Sequence, residues 1–261
     1  MYSNIQYVRP RKRSQNGGKM GNPADRIIVA LDVPDAPQAH LLAGQVDGKV
    51  GKFKIGMQLF YAQSGGHPLL EELRKSAKDT EIMLDLKLCD IPNTMRGAIK
   101  SVASLKPRYL TVHASSGPAH LKACVDMAGE FGIGVLAITV LTTISQEDFY
   151  ASGHTALIAD VVLKRAEFAA EMGCVGIVCS GLELAMLAER GIPKSLKRIV
   201  PGIRPRWAVT DDQKRIVTPK FAIENGADEM VIGRPIRTPP ADVGSPTNAL
   251  NLIHEEISSI A

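Results

Sequence analysis

Three charged residues, Asp85, Lys87 and Asp90, lie close together where an apolar, strand-like run ends. Asp85 and Lys87 are two positions apart, so on a strand their side chains share one face, while Leu86 points to the other. Charges at such a site are partly desolvated and persist when they are paired. A second cation comes from the preceding apolar run, and the predicted array of two cations and two anions consists of Lys54, Asp85, Lys87 and Asp90. An array of this kind suits electrostatic chemistry, and a purely structural ion network is the alternative.

Two arginines that follow glycines later in the chain predict a binding site for a phosphate. Arg204 lies two positions after Gly202, and Arg234 directly follows Gly233. Backbone N–H groups beside a glycine can approach an anion closely, and a guanidinium adds charge-assisted, often bidentate hydrogen bonds. The polar segment 204–215 is predicted to form a lid over this site, with a plain solvated loop as the alternative.

The elements that must position these side chains are short apolar strands alternating with amphipathic helices. The predicted strands are 26–31, 51–55, 81–86, 108–112, 132–139, 175–179, 197–200 and 229–232. Near-continuous apolar strands that alternate with helices indicate a parallel sheet covered on both faces. Eight such units in 261 residues predict the α/β fold class of a (β/α)₈ barrel, or TIM barrel, in a single domain. Since such barrels hold their chemistry at the carboxyl ends of the strands, the charged array and the phosphate site should meet there.

Charge is unevenly distributed along the chain. The formal net charge is +4, but residues 1–19 hold five basic and no acidic residues, so the remainder is close to neutral. We predict a basic, disordered extension over 1–22 and a catalytic barrel over 23–261. The near-neutral barrel argues against a nucleic-acid partner. The longest apolar run, 133–141, is too short to cross a bilayer, so we expect a cytoplasmic protein without a membrane partner.

Six short motifs occur in order along the chain, namely Ala30-Leu31-Asp32, Lys54-Ile55-Gly56, Asp85-Leu86-Lys87 through Thr94, Pro201-Gly202-Ile203-Arg204, Asp212-Gln213 and Gly233-Arg234-Pro235. From about residue 26 to the end of the eighth predicted strand, these motifs resemble those of the orotidine 5′-phosphate decarboxylase family. The Asp-x-Lys-x-x-Asp core also occurs in related sugar-phosphate lyases and synthases, whereas its continuation to Thr94 and the Asp212-Gln213 pair are more specific to the decarboxylases.

The resemblance implies decarboxylation of orotidine 5′-monophosphate (OMP) to uridine 5′-monophosphate (UMP) and CO₂, the last step of de novo UMP synthesis. It implies that Lys87 protonates C6 of the pyrimidine, that Asp85 lies beside the departing carboxylate and that Lys54 completes the array. The other implied substrate contacts involve Asp32, Lys54 and Asp90 with the ribose, Thr94 beside it, Thr142 with the base, and Arg204, Gln213, Gly233 and Arg234 with the phosphate.

The resemblance further implies a homodimer in which Asp90 and Thr94 reach into the partner's site, and a reaction that uses no metal and no organic cofactor. Cys89 departs from the family, since relatives commonly carry a histidine or aromatic residue there; this change touches no implied chemical role. None of the four cysteines lies in a zinc-binding motif. His113 ends the fourth predicted strand, where a packing role is favoured over a catalytic one.

Two other functions remain open from the residues alone. A magnesium-dependent lyase or synthase acting on a sugar phosphate would use the same acids to hold its metal. A non-catalytic barrel that binds through its basic extension is the second. Four charges kept at strand ends, at a cost in desolvation, argue against a barrel without activity.

Overall fold

The computed structural model describes residues 22–77, 79–208 and 215–260. Eight parallel strands close into a barrel in chain order, and β8 pairs with β1. The strands are β1 Ile27–Ala30, β2 Lys52–Gly56, β3 Glu81–Leu88, β4 Tyr109–His113, β5 Gly134–Ile138, β6 Gly176–Val178, β7 Lys197–Val200 and β8 Glu229–Ile232. The single-domain (β/α)₈ barrel predicted from the alternating pattern is therefore confirmed.

Helices follow the strands and cover the outside of the barrel. Those within the described residues are α1 Ala36–Val46, α2 Met57–Phe60, α3 Gly66–Ser76, α4 Pro92–Val102, α5 Pro118–Gly129, α6 Gln146–Ala151, α7 Ile158–Glu171, α8 Leu184–Glu189, α9 Pro219–Glu224, α10 Arg234–Arg237 and α11 Pro246–Ser258. Several begin at a polar cap that satisfies a free backbone N–H. The Asp35 carboxylate, for example, accepts a hydrogen bond of 3.0 Å from the N–H of Gln38 at the start of α1.

Each predicted strand exists. The seventh and eighth have the predicted ends, and the other six differ from the prediction at one or both ends. The first is shorter than 26–31, because a 3₁₀ turn over Pro23–Arg26 occupies its beginning. The fifth is shorter than 132–139. The third is longer than 81–86 and includes Lys87 and Leu88, since β3 continues past an irregularity in its pairing with β4. An apolar sequence pattern locates the apolar part of a strand, but it does not predict where an irregular pairing allows a polar residue to remain in the strand.

The apolar residues form two layers. The larger lies between the barrel and the helices, and α3 contributes Leu69, Leu70 and Leu73, as its helical spacing predicts. A small cluster fills the inside of the barrel and consists of Ile28, Met83, Tyr109, Leu136 and Ile199. The barrel is thus a packed core whose ends alone can hold polar groups.

A second ion network lies at the amino ends of the strands, opposite the predicted site. The Glu229 carboxylate lies 3.0 Å from Lys52 Nζ and 2.8 Å from Lys197 Nζ, and it accepts a hydrogen bond of 2.9 Å from the Tyr109 hydroxyl. Burial alone would raise the pKa of Glu229, but the two lysines hold it below its usual value. This network is a structural feature of the barrel floor.

The predicted basic extension over 1–22 lies outside the described residues except for Asn22, whose side chain accepts a hydrogen bond from the Ala24 N–H. Among the residues that the structure describes, no helix is long and apolar enough to cross a membrane.

Candidate active site

A cavity of about 470 Å³ opens at the carboxyl ends of the strands. Strands and loops from around the barrel contribute to its wall, as the fold predicts. The sequence-predicted residues that line it are Asp32, Lys54, Asp85, Lys87, Thr142, Arg204, Gly233 and Arg234. The charged array and the predicted phosphate-binding residues, which are far apart in the sequence, therefore share one cavity.

Four side chains on one side of the cavity form a continuous chain of alternating charge. Lys54 Nζ lies 2.8 Å from Asp32 Oδ1 and 3.4 Å from Asp85 Oδ2. Lys87 Nζ lies 2.8 Å from the same Asp85 oxygen. Gly56 provides the room for the first pair, because a Cβ at that position would lie 2.9 Å from both Asp32 Oδ1 and Lys54 Nζ.

Burial and charge act in opposite directions on the two innermost groups of this chain. Burial alone would lower the pKa of Lys54, but Asp85 and Asp32 raise it above its usual value. Burial alone would raise the pKa of Asp85, but Lys54, Lys87 and a hydrogen bond from Thr111 lower it. Both groups are therefore charged at neutral pH, each because of its neighbours.

The local backbone explains how Asp85 and Lys87 reach the same cavity. Leu86, between them, points to the apolar layer under the helices. Lys87 has a φ of +48°, in the left-handed region that non-glycine residues rarely occupy. Its backbone N–H donates a hydrogen bond of 2.8 Å to the hydroxyl of Thr111, which in turn donates one of 3.0 Å to Asp85 Oδ1. A fully buried hydroxyl on β4 thus holds both residues in place.

Asp90 does not belong to this chain of charges within one molecule. The residue is exposed, and its Oδ1 accepts a hydrogen bond of 2.6 Å from the N–H of Ile91. Thr94, on the first turn of α4, is also exposed, and neither residue lines the cavity. The cause is that β3 ends at Leu88 and the backbone then turns outward into α4. Within one molecule the second anion of the chain is Asp32, which contacts Lys54, and the position beside Lys87 predicted for Asp90 is not filled by it.

The part of the cavity wall that follows β7 and β8 carries the predicted phosphate-binding residues. Gly202 and Arg204 follow β7, and Gly233 and Arg234 follow β8. Gly202 has a φ of +75°, which a residue with a side chain rarely adopts. The Arg204 side chain is buried, and its backbone N–H donates a hydrogen bond of 2.8 Å to the Val217 carbonyl. Gln213 and Asp212 lie outside the described residues, as does part of the predicted lid over 204–215.

Sequence reasoning missed several side chains around the cavity. Gln58 and Arg237 line it directly. Thr111 lies beneath the charged chain, and its signal was available, since a polar residue on a buried strand two positions before His113 shares the face of His113. His113 itself does not line the cavity; its Nδ1 lies 2.6 Å from the Ser115 hydroxyl, and burial, followed by Arg165 and Lys87, lowers its pKa.

The closed (β/α)₈ barrel and the charged cavity that opens at the carboxyl ends of its strands define the class of this protein. It is a barrel enzyme whose site lies at the carboxyl ends of the strands, as in other enzymes of this fold. The model of the orotidine 5′-phosphate decarboxylase / HUMPS family matches residues 25–244, and the chain belongs to that family.

Among the described residues, no three His, Cys, Asp or Glu side chains are grouped so that they could hold a metal ion.

Relatives and solved structures extend this match over nearly the whole chain. It is 41% identical to the orotidine 5′-phosphate decarboxylase of Afipia carboxidovorans over 91% of this chain and 96% of that protein. It is 43% identical to that of a Rhodopseudomonas palustris strain over 89% of this chain and 94% of that protein. The crystal structure of orotidine 5′-phosphate decarboxylase from Lactobacillus acidophilus is similar with a TM-score of 0.75 and 32% identity, covering 89% of this chain and 99% of that one.

Proposed function

We propose that this protein decarboxylates OMP to UMP and CO₂, the last step of de novo UMP synthesis. The observation that carries the proposal is the chain of charges from Asp32 through Lys54 and Asp85 to Lys87 at the cavity wall. The named relatives, about 41% identical over nine-tenths of the chain, support the same activity. A carboxy-lyase of this kind needs a cation at the reacting carbon, and Lys87 provides one inside the cavity.

Loss of CO₂ from C6 leaves an electron pair in an sp² orbital that no adjacent group can delocalise. Such a carbanion must be stabilised by charges that are in place before the reaction begins. In the proposed mechanism the C6–carboxylate bond breaks, its electron pair stays on C6, and CO₂ departs beside Asp85. The Lys87 ammonium stabilises that pair and then transfers a proton from Nζ to C6. Lys54, which contacts the same Asp85 oxygen at 3.4 Å, keeps the carboxylate ionised and oriented.

The remaining cavity residues would contact the phosphate, the ribose and the pyrimidine of the substrate. Arg204, Gly233 and Arg234 would bind the 5′-phosphate through guanidinium and backbone N–H groups, with Gln213 as a further contact. Asp32 and Lys54 would contact the ribose hydroxyls, and Thr142 would lie beside the pyrimidine. Binding energy from the phosphate, far from the reacting carbon, would help to hold C6 against Lys87.

We further propose a homodimer in which Asp90 and Thr94 complete the partner's cavity. Three observations support it. Both side chains are exposed and lie outside their own cavity, Ile91 between them is 63% exposed, and the segment that carries them begins directly after the charged residues of β3.

The proposed reaction needs no metal and no organic cofactor, and it takes place in the cytoplasm. A magnesium-dependent lyase acting on a sugar phosphate is the alternative within the same family. Because metal chemistry stops when the metal is removed, chelation distinguishes the two. The proposal includes no nucleic-acid partner, and the basic extension has no role in it.

The test is to dialyse the purified protein against EDTA and to follow the ultraviolet absorbance of OMP, with chromatography of the product. Loss of the OMP absorbance with stoichiometric UMP is the expected result. No loss from a folded protein, together with turnover of a sugar phosphate when Mg²⁺ is added, would establish the alternative instead.

A further inference from the structure

A buried ion pair lies beside the cavity on the side of β6. Glu183 ends the 3₁₀ turn Gly181–Glu183 that follows β6, and its carboxylate pairs with the guanidinium of Arg215. The side chains are only 7% and 16% exposed. Glu183 Oε2 also accepts a hydrogen bond of 2.8 Å from the N–H of Ser180, which anchors the carboxylate to its own turn. Burial raises the pKa of Glu183, and Arg215 and the Ser180 N–H oppose that rise.

The same guanidinium binds the loop that follows β5. Arg215 Nη2 donates a hydrogen bond of 3.1 Å to the Leu141 carbonyl, and Nε donates one of 3.4 Å to the Thr142 carbonyl. Leu141, Thr142 and Thr143 all line the cavity. Three nitrogens of one rigid, planar group are therefore directed at two separate loops, and a lysine could not replace that geometry.

Packing next to Arg215 holds its backbone between the segment after β7 and the 3₁₀ turn after β6. Val217 pairs with Ile203 in an isolated bridge, and its N–H donates a hydrogen bond of 3.3 Å to the Gly202 carbonyl. Gly181 lies directly against the Val217 side chain, and a Cβ there would lie 2.9 Å from Val217 Cγ1. The 3₁₀ turn and the segment around Val217 thus approach each other as closely as a glycine allows.

We infer that Arg215 is a positioning residue: held by the Glu183 carboxylate, it fixes the loop after β5 at the end of the cavity that receives the pyrimidine. The inference rests on the proposed function, because that function defines which end receives the base. Without the guanidinium, the Leu141 and Thr142 carbonyls lose a charged donor, and Glu183 is left buried without its counter-ion. The loop then no longer holds one position against the base, whereas the phosphate residues after β7 and β8 keep theirs.

Two competitive inhibitors distinguish this role from a general structural one. UMP carries the base, whereas ribose 5-phosphate carries the sugar and phosphate without it. For Arg215→Met we expect UMP binding to weaken by about tenfold or more, from the loss of one or two hydrogen bonds to a charged group, while ribose 5-phosphate binding changes by less than about twofold. Glu183→Gln should also weaken the binding of UMP relative to that of ribose 5-phosphate, but by a smaller factor.

Arg190→Met, at the exposed end of α8, is the matched control and should leave both constants unchanged. Arg215→Lys serves if Arg215→Met does not fold, and it should show the same selective loss of UMP binding. Equal weakening of the two ligands in a folded variant, or no weakening of either, would overturn the inference. A wild-type protein that binds ribose 5-phosphate but neither binds UMP nor turns over OMP would overturn the proposed function, and this inference with it.

Discussion

The backbone N–H of Lys87 donates a hydrogen bond of 2.8 Å to the hydroxyl of Thr111. This contact joins the residue with the left-handed backbone on β3 to a fully buried side chain on β4. Conformations of this kind cost about 1–3 kcal/mol and persist where the surroundings hold them. Because the same hydroxyl also donates to Asp85 Oδ1 at 3.0 Å, it sets both the backbone of Lys87 and the orientation of Asp85.

Replacing Thr111 by valine, which has nearly the same shape, should lower kcat and leave the KM for OMP almost unchanged. A lost hydrogen bond to a charged group costs about 1.5–3 kcal/mol, which corresponds to about ten- to a hundredfold in rate. Steady-state kinetics of Thr111→Val measure this directly. Thr111→Ser keeps the hydroxyl and should retain most of the wild-type kcat; an equal loss in both variants would mean that packing, not the hydrogen bonds, is what matters.

Arg234→Ala should raise the KM for OMP by about ten- to a hundredfold and affect kcat less, because it removes charge-assisted hydrogen bonds to the phosphate. Orotidine, which lacks the phosphate, is the internal control. Its slow turnover should change by less than about twofold between wild type and variant. If the turnover of orotidine falls in Arg234→Ala by as much as that of OMP, Arg234 does not act on the phosphate.

Glu229→Gln should destabilise the barrel, because it removes the buried carboxylate that pairs with both Lys52 and Lys197. Lys52 is buried and keeps only Glu81, at 3.4 Å, while Lys197 is partly exposed to solvent. Breaking a fully buried pair costs about 3–5 kcal/mol, and these remaining contacts reduce the expected loss to about 2–3 kcal/mol. The free energy of unfolding from urea titration measures the loss. Glu224→Gln, which removes the partner of an exposed pair with Lys220 at 3.7 Å, is the control and should cost less than about 1 kcal/mol.

The same network predicts how stability depends on pH. The pKa of Glu229 is lower in the folded protein than its usual value of 4.5. Below pH 4.5, the unfolded protein therefore takes up a proton at Glu229 more readily than the folded protein does. The stabilisation that the Glu229 ion pairs give to the fold is fully present above pH 4.5 and is lost as the pH falls through the folded pKa. Unfolding titrations below pH 4.5 should show a smaller loss of stability in Glu229→Gln than in wild type. A parallel decline in the two proteins would contradict the assignment.

The proposed sharing of sites between two chains has a test by mixing. Asp90→Ala and Lys87→Ala should each be inactive alone. In a mixed dimer one cavity carries both changes and the other carries neither, so random reassembly should restore about a quarter of the wild-type activity. Mixtures that stay inactive, although the chains exchange, would show that Asp90 does not act across an interface.

The sequence predicted the fold and most of the cavity because both depend on short-range patterns. Alternation of apolar strands and helices predicts the barrel, and a two-residue spacing predicts that Asp85 and Lys87 share a face. The place of Asp90 was not predictable in this way, because it depends on where β3 ends and the backbone turns. Arg215 was missed for a related reason, since its role comes from contacts with residues about 74 positions away in the chain. The inward face of Thr111 was predictable from the pattern of β4, but its hydrogen bond to Lys87, 24 positions away, was not.

The most direct test of the proposed mechanism is the turnover of OMP by Lys87→Ala, compared with wild type and with Lys164→Ala, a change at an exposed lysine on α7. Removal of the group that both stabilises and protonates C6 should lower kcat by about 10³-fold or more, whereas Lys164→Ala should match wild type. A folded Lys87→Ala protein that keeps most of the wild-type kcat would contradict the mechanism.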